Sequence, residues 1–149
     1  MDRVLLVFGA VAIAATAAAL LGRRPGPPAS NTHHVPNLLD RRDFTRPDAP
    51  WLVVVFSSST CDACAGVWEQ AELLHSTEVA TQRVDFERDP ALHRRYRIDG
   101  VPTLVIADRD GVVKRGFLGP MTSTDLWAAM AEEREPGSTP PGCDTGELS

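Results

Sequence analysis

The stretch Ser59-Thr60-Cys61-Asp62-Ala63-Cys64 follows an apolar run at 52–56 and precedes a stretch of helical periodicity that starts near Asp62. Two thiols three positions apart at a strand-to-helix junction can close a small disulfide. The N–H groups and macrodipole at a helix N-terminus also favour a thiolate. Such a pair suits thiol–disulfide exchange, in which one thiolate attacks and a second thiol resolves the mixed disulfide. Cys-x-x-Cys also occurs in metal sites, or as two small buried hydrophobes, but the strand–helix context favours redox chemistry.

The composition describes one acidic globular domain with extensions. The chain has 149 residues, of which 43% are hydrophobic and 23% charged. Its net charge of −5 argues against a nucleic-acid-binding protein, which would present a basic surface. The count of three cysteines is odd, so it does not indicate a disulfide scaffold. Cys143, in a tail rich in Pro, Gly, Ser and Thr, is interpreted as a free exposed thiol.

The N-terminal segment has the length and polarity of a membrane helix. Residues 4–21 carry no charge, and only Gly9 and Thr16 among them are not apolar. A signal peptide cut near the small residues 15–19 is the alternative. Because Gly22-Arg23-Arg24 ends the stretch like a stop at the membrane surface, we predict an uncleaved anchor. The proline-rich residues 22–36 are predicted to be a linker, in which His33 and His34 are solvated.

The folded domain is predicted at 37–134, followed by a disordered tail at 135–149. Its expected elements are a short strand at 37–39, a helical turn at 40–44, strands at 51–56 and 79–86, a helix at 61–75, a short helix beginning at Asp89-Pro90, strands at 103–107 and 112–118 joined by a turn at 108–111, and a last helix from Thr122 or Ser123 to about Glu133. This order predicts an α/β fold: a mixed sheet with two parallel crossovers, then an antiparallel hairpin, with helices on both faces.

Several side-chain positions follow from these predicted elements. In the last helix, Leu126, Trp127 and Met130 are expected to pack inward. His75 and His93 are expected on helix surfaces, and the Arg pair that starts at Arg41 is interpreted as part of a solvated turn.

A third motif, Gly100-Val101-Pro102-Thr103, stands just before a predicted strand. Proline cannot donate a hydrogen bond to the sheet ladder. If the Val101–Pro102 bond is cis, it turns the backbone sharply and exposes a main-chain edge.

Together these motifs resemble thioredoxin over residues 38–133. The matching pieces are the strand at 52–56, Cys61-Asp62-Ala63-Cys64, the stretch 96–103 that ends in Val101-Pro102-Thr103, Asp110-Gly111 in the hairpin, and Gly119 before the last helix. The resemblance implies a thioredoxin-like mixed sheet flanked by helices. It further implies that Cys61 is the attacking thiol and Cys64 the resolving thiol, with Pro102 as a cis-proline beside them. The backbone of Val101 would pair with an extended substrate segment.

The chain departs from the thioredoxin pattern around the cysteines. Thioredoxins carry Trp before the first cysteine and Gly-Pro between the two, where this chain has Thr60 and Asp62-Ala63. They also bury an Asp six residues before the first cysteine, where this chain has Val55. Trp68 is interpreted as a core residue rather than a substitute for the missing Trp. Asp62 next to two sulfurs would disfavour a thiolate, or would serve the helix dipole.

These observations lead to a membrane-tethered thiol–disulfide oxidoreductase as the first hypothesis. It would need no cofactor, would exchange disulfides with protein substrates, and would receive electrons from a dithiol protein. A thioredoxin-fold binding or adaptor module with weak or no redox activity is the second hypothesis, favoured by the residues at Val55 and Thr60. Metal handling by Cys61 and Cys64 is the third, although no second cysteine pair accompanies them.

The predicted location is a single-pass membrane protein, and the side that holds the domain stays open. Arg23-Arg24 and the more distant Arg41-Arg42 outnumber Arg3 on the other flank, which favours a cytoplasmic domain. Tethered thioredoxin-like proteins that face outward argue the opposite way.

Overall fold

A computed structural model describes residues 33–138 of the protein, so the anchor predicted at 4–21, most of the linker and Cys143 lie outside the described residues. The described residues contain a four-stranded sheet of order β2-β1-β3-β4. Its strands are β1 (Trp51–Ser57), β2 (Val79–Asp85), β3 (Thr103–Ala107) and β4 (Val113–Leu118). β1 and β2 are parallel, whereas β3 is antiparallel to both β1 and β4. The predicted mixed sheet is confirmed.

The prediction of two parallel crossovers is wrong, because only the step from β1 to β2 is one. The helix between β2 and β3 spans six residues, Pro90–Arg95. Such a helix is about 9 Å long, far shorter than the roughly 23 Å of a seven-residue strand. This connection does not return the chain to the end of the sheet where β1 and β2 start. β3 therefore starts where β1 ends, with Thr103 paired to Phe56, and runs antiparallel to it.

Within residues 33–138, three α-helices accompany the sheet: α1 (Asp62–Glu72), α2 (Pro90–Arg95) and α3 (Ser123–Arg134). A 3₁₀ helix at Arg41–Asp43 forms the helical turn predicted at 40–44. α1 ends before the predicted His75, because the amides of Leu74 and His75 bond three residues back and tighten the last turn. α3 begins with a capping box between Thr122 and Asp125.

Each face of the sheet has its own apolar core. On one face the side chains of β1 alternate into a cluster with α1 and α3; this cluster includes Val53, Val55, Val67, Leu74, Leu104, Ile106, Leu126 and Met130. On the other face the opposite side chains of the same strands pack with the 3₁₀ segment and the α2 region; this cluster includes Phe44, Leu52, Val54, Phe56, Tyr96 and Val105. Burial on both faces explains why β1 is a continuous apolar run.

Four local predictions differ from the structure. The strand expected at 37–39 is a single bridge between Leu38 and Val112. Trp127 is 48% exposed rather than inward, because Leu126 and Met130, four residues apart, define the buried stripe of α3. His93 is buried against Phe56 and Phe86, and its Nε2 lies 3.1 Å from the carbonyl oxygen of Val84.

Arg41 is the fourth difference, since it is 7% exposed and not part of a solvated turn. Its Nη1 donates to the carbonyl of Asp108 at 2.7 Å, and its Nη2 to that of Ala49 at 2.9 Å. The guanidinium therefore ties the segment before β1 to the β3–β4 turn.

The first described residues contact the domain. The amide of His34 donates to Asp99 Oδ1 at 3.0 Å, and His33 Nδ1 lies 3.4 Å from the same oxygen, so both residues contact the folded domain. Between residues 33 and 138, no helix has the length and apolar character needed to cross a membrane.

Candidate active site

Cys61 and Cys64 form a disulfide at the N-terminus of α1, with their Cα atoms 5.4 Å apart. Cys61 is the N-cap residue with an extended backbone, and Cys64 lies in the first turn. Cys64 has no exposed surface, whereas Cys61 is partly exposed. A disulfide partner from another protein can therefore reach the first sulfur and not the second.

The last residue of β1, Ser57, is fixed by hydrogen bonds of its side chain. The Ser57 hydroxyl is buried, accepts from Arg83 Nε at 2.8 Å and lies 3.4 Å from the Val84 carbonyl. Beyond it the amide of Cys61 donates to the carbonyl of Ser58 at 3.2 Å. These bonds turn the chain from the end of β1 directly into α1.

The Val101–Pro102 peptide bond is cis, which confirms that prediction. Pro102 is buried and Val101 partly buried. The carbonyl of Pro102 accepts from the amide of Gly119 at 2.8 Å, which ties this segment to the end of β4. Because Thr103 pairs with Phe56 at the end of β1, Pro102 and Cys61 lie at the same edge of the sheet. The part of these residues in substrate binding stays a prediction.

Val55 lies in the apolar core between the sheet and the helices α1 and α3. Its side chain has no exposed surface and belongs to the cluster that contains Val67 and Leu104. No acid therefore occupies the position from which thioredoxins serve the resolving thiol. The core thus has an apolar residue where thioredoxins have a buried acid. Trp68 packs against the same cluster, as expected of a core residue.

A carboxylate that belongs to none of the sequence motifs also lies at this edge. Glu87 accepts hydrogen bonds from two residues of the loop that precedes Cys61, Ser58 and Ser59. A signal for it exists in the sequence: Glu87 follows β2 by two residues, and the carboxyl ends of parallel neighbours such as β1 and β2 meet at one edge.

Metal binding receives no support from the part of the chain that the structure describes. Among residues 33–138, no group of three or more His, Cys, Asp and Glu side chains could hold a metal ion. His75, in the turn after α1, contacts the Thr81 hydroxyl at 3.2 Å, and His93 is enclosed by aromatic rings.

Comparison with known protein families agrees with the sheet topology and with the Cys61–Cys64 disulfide. The family model described as Thioredoxin matches residues 42–132, which is more than half of the chain. The chain belongs to the thioredoxin family.

Solved structures share this fold. A mutant thioredoxin from Halobacterium salinarum NRC-1 is 25% identical with a TM-score of 0.52, and the match covers 58% of this chain and 76% of that one. A structure described only as that of a malarial protein is 19% identical with a TM-score of 0.51, covering 56% of this chain and 96% of that one. A search of curated protein sequences finds no significant match.

Proposed function

We propose that the protein is a membrane-tethered thiol–disulfide oxidoreductase that exchanges disulfides with protein substrates through Cys61 and Cys64. The observation that carries the proposal is the asymmetric pair: a disulfide at a helix N-terminus between one partly exposed and one fully buried cysteine. The helix N-terminus stabilises a thiolate on the accessible cysteine once the pair is reduced. No cofactor takes part, since both electrons reside in the dithiol.

The exchange has two steps that balance in bonds and electrons. The Cys61 thiolate attacks one sulfur of a substrate disulfide, forms a mixed disulfide and releases the other substrate sulfur as a thiolate. The Cys64 thiolate then attacks the Cys61 sulfur, which closes the Cys61–Cys64 disulfide and releases the second substrate thiolate. Two electrons pass to the substrate, and a dithiol protein returns the pair to its reduced state. The backbone at Val101 would hold the substrate segment beside Cys61.

Reduction of the insulin interchain disulfides, followed by turbidity, tests this proposal on the wild-type chain. Cys61→Ser is expected to abolish the activity. Cys143→Ser is the matched control, since it removes a thiol outside the pair, and is expected to keep full activity. Full activity of Cys61→Ser would overturn the assigned roles.

The second candidate is a thioredoxin-fold binding module with weak or no redox activity. The apolar surroundings of Val55 favour it, because they leave the resolving thiol without the acid that thioredoxins provide. The same assay separates the two: a wild-type rate no faster than that of Cys61→Ser would select the binding module.

The proposal also includes a membrane tether and the side of the membrane that holds the domain. The uncharged residues 4–21 support the tether. We place the domain on the cytoplasmic face, because Arg23-Arg24 follow the predicted anchor. A chain carrying both Cys61→Ser and Cys64→Ser leaves Cys143 as its single thiol. A membrane-impermeant maleimide should then label Cys143 only after the cells are lysed. Labelling in intact cells would place the domain outside, and recovery of the protein in the soluble fraction would overturn the tether.

A further inference from the structure

The loop between β1 and α1, residues 58–61, donates hydrogen bonds to one carboxylate elsewhere in the sequence, that of Glu87. The Ser58 hydroxyl donates to Glu87 Oε1 at 2.6 Å, and the Ser59 amide donates to Glu87 Oε2 at 3.0 Å. Two consecutive residues of the loop therefore use both oxygens of the same side chain. This side chain stands 28 residues away from Ser59 in the sequence.

The contact extends from Ser58 to Cys61. The Ser58 Oγ lies 3.0 Å from the Thr60 hydroxyl and accepts from the Thr60 amide at 3.3 Å. Because a serine hydroxyl has one hydrogen and gives it to Glu87, the Thr60 hydroxyl must donate to Ser58. The Cys61 amide in turn bonds the Ser58 carbonyl at 3.2 Å. Each residue of the loop is thus bonded to Glu87 or to Ser58.

Glu87 is itself fixed to the sheet. Its amide donates to Asp85 Oδ1 at 3.2 Å, and the preceding amide, of Phe86, donates to the Ser57 carbonyl at 2.8 Å. The Ser58 hydroxyl and the Ser59 amide lower the pKa of the Glu87 carboxyl to about 2. Glu87 is therefore ionised at neutral pH, and its bonds to the loop are of the stronger, charge-assisted kind.

We propose that Glu87 is a positioning residue for disulfide exchange: it holds residues 58–60 so that the Cys61 sulfur is presented to the incoming disulfide. The inference rests on the proposed function, since it assigns Glu87 a part in that reaction. Attack on a disulfide needs an aligned approach of three sulfurs, and a misplacement of about 1 Å in a reacting group can cost up to about 100-fold in rate. Glu87 acts through the loop and does not touch the reacting atoms.

A double-mutant cycle on Glu87 and Ser58 tests the proposal. The reaction is that of the reduced protein with bis(2-hydroxyethyl) disulfide, a neutral reagent whose encounter with the protein is not steered by surface charge. Glu87→Ala is expected to slow it on the order of 10-fold. Ser58→Ala should cost less in that variant than in the wild type, because the Ser58–Glu87 contact is already lost there. Glu87→Gln, which keeps one acceptor oxygen, should lie between wild type and Glu87→Ala.

The matched control is Glu69→Ala, which removes the same charge from an exposed position on α1, about 12 Å along the helix from Cys61. Its rate should equal that of the wild type. Amide hydrogen exchange supplies the structural readout: Ser59 and Thr60 should exchange faster in Glu87→Ala, while β1 keeps its protection.

The outcomes separate this proposal from the proposed function. Slower disulfide exchange together with faster amide exchange in the loop supports the positioning role. A wild-type protein that exchanges disulfides and a Glu87→Ala variant that does so equally fast would overturn the positioning role alone. Fully additive losses in the cycle would overturn it too. A wild-type protein that exchanges no disulfide would defeat the proposed function itself.

Discussion

Replacing Val55 by Asp introduces the acid that thioredoxins bury beside the cysteine pair. Val55 has no exposed surface and packs in the cluster with Val67 and Leu104. The change gives up the burial of an apolar side chain, about 1.5 to 3 kcal/mol, and leaves a carboxyl without a partner, about 1 to 3 kcal/mol more. We expect the free energy of unfolding to fall by at least about 2.5 kcal/mol. For a domain of about 100 residues, this lowers the melting temperature by at least about 10 °C.

The loss of stability should depend on pH with a defined sign. The introduced carboxyl ionises near pH 4 in the unfolded chain, whereas burial raises its pKa in the folded protein. Between these two values the folded state holds more protons, so stability falls as pH rises, by up to about 1.4 kcal/mol per pH unit. Val55→Asn has a similar shape and no proton to lose. Urea unfolding at pH 4 and pH 7 should show the steeper loss in Val55→Asp only.

The functional readout is turnover with insulin at neutral pH. An acid at this position can take the proton of the buried Cys64 thiol, so Val55→Asp should turn over faster than the wild type and faster than Val55→Asn. Equal turnover of the Asp and Asn variants would refute the reasoning, because it would show that proton transfer at Val55 does not limit the natural protein. A melting temperature unchanged in both variants would contradict the assigned burial.

Three further experiments probe other parts of the structure. Pro102→Ala should slow insulin reduction by a larger factor than it slows reaction with bis(2-hydroxyethyl) disulfide, because only the protein substrate needs the backbone beside Val101; equal slowing would remove the docking role. Arg41→Lys should lower the free energy of unfolding by about 2 kcal/mol, since an ammonium group cannot reach both carbonyls that the guanidinium bonds, and urea unfolding measures this. Burial raises the pKa of Tyr96, the single tyrosine, to about 12, so absorbance at 295 nm should titrate near pH 12 in the folded protein and near pH 10 once unfolded. Because the folded phenol ionises later, stability should fall as pH rises from about 10 to 12; a folded-state midpoint near 10 would contradict the burial of this ring.

The sheet and the cysteine pair could be predicted because their signals are local. An apolar run flanked by turn residues marks β1, and a cysteine pair just beyond it marks the start of α1. The proline of Val101-Pro102 is similarly visible, since proline is the residue that adopts a cis bond at low cost. The direction of β3 was less accessible, because it depends on how far a six-residue helix carries the chain.

The buried polar residues could not be predicted, because their partners come from distant parts of the sequence. Arg41 bonds the carbonyl of Asp108, 67 residues away, and an Arg-Arg pair gives no local sign of this. His93 is enclosed by Phe56 and Phe86, which only the packed sheet brings around it. Glu87 is different, because it is exposed and its place two residues after β2 is a signal in the sequence; the parallel pairing of β1 and β2 brings it to Ser58.

Trapping of mixed disulfides tests the central claim most directly, because it reads the separate roles of the two cysteines. Each variant is expressed in cells with its full chain, and disulfide-linked partners are resolved on non-reducing gels. We expect that Cys64→Ser accumulates covalent complexes through Cys61, that these vanish on reduction, and that Cys61→Ser forms none. Equal trapping by both variants, or trapping by Cys61→Ser alone, would contradict the assignment of Cys61 as the attacking thiol.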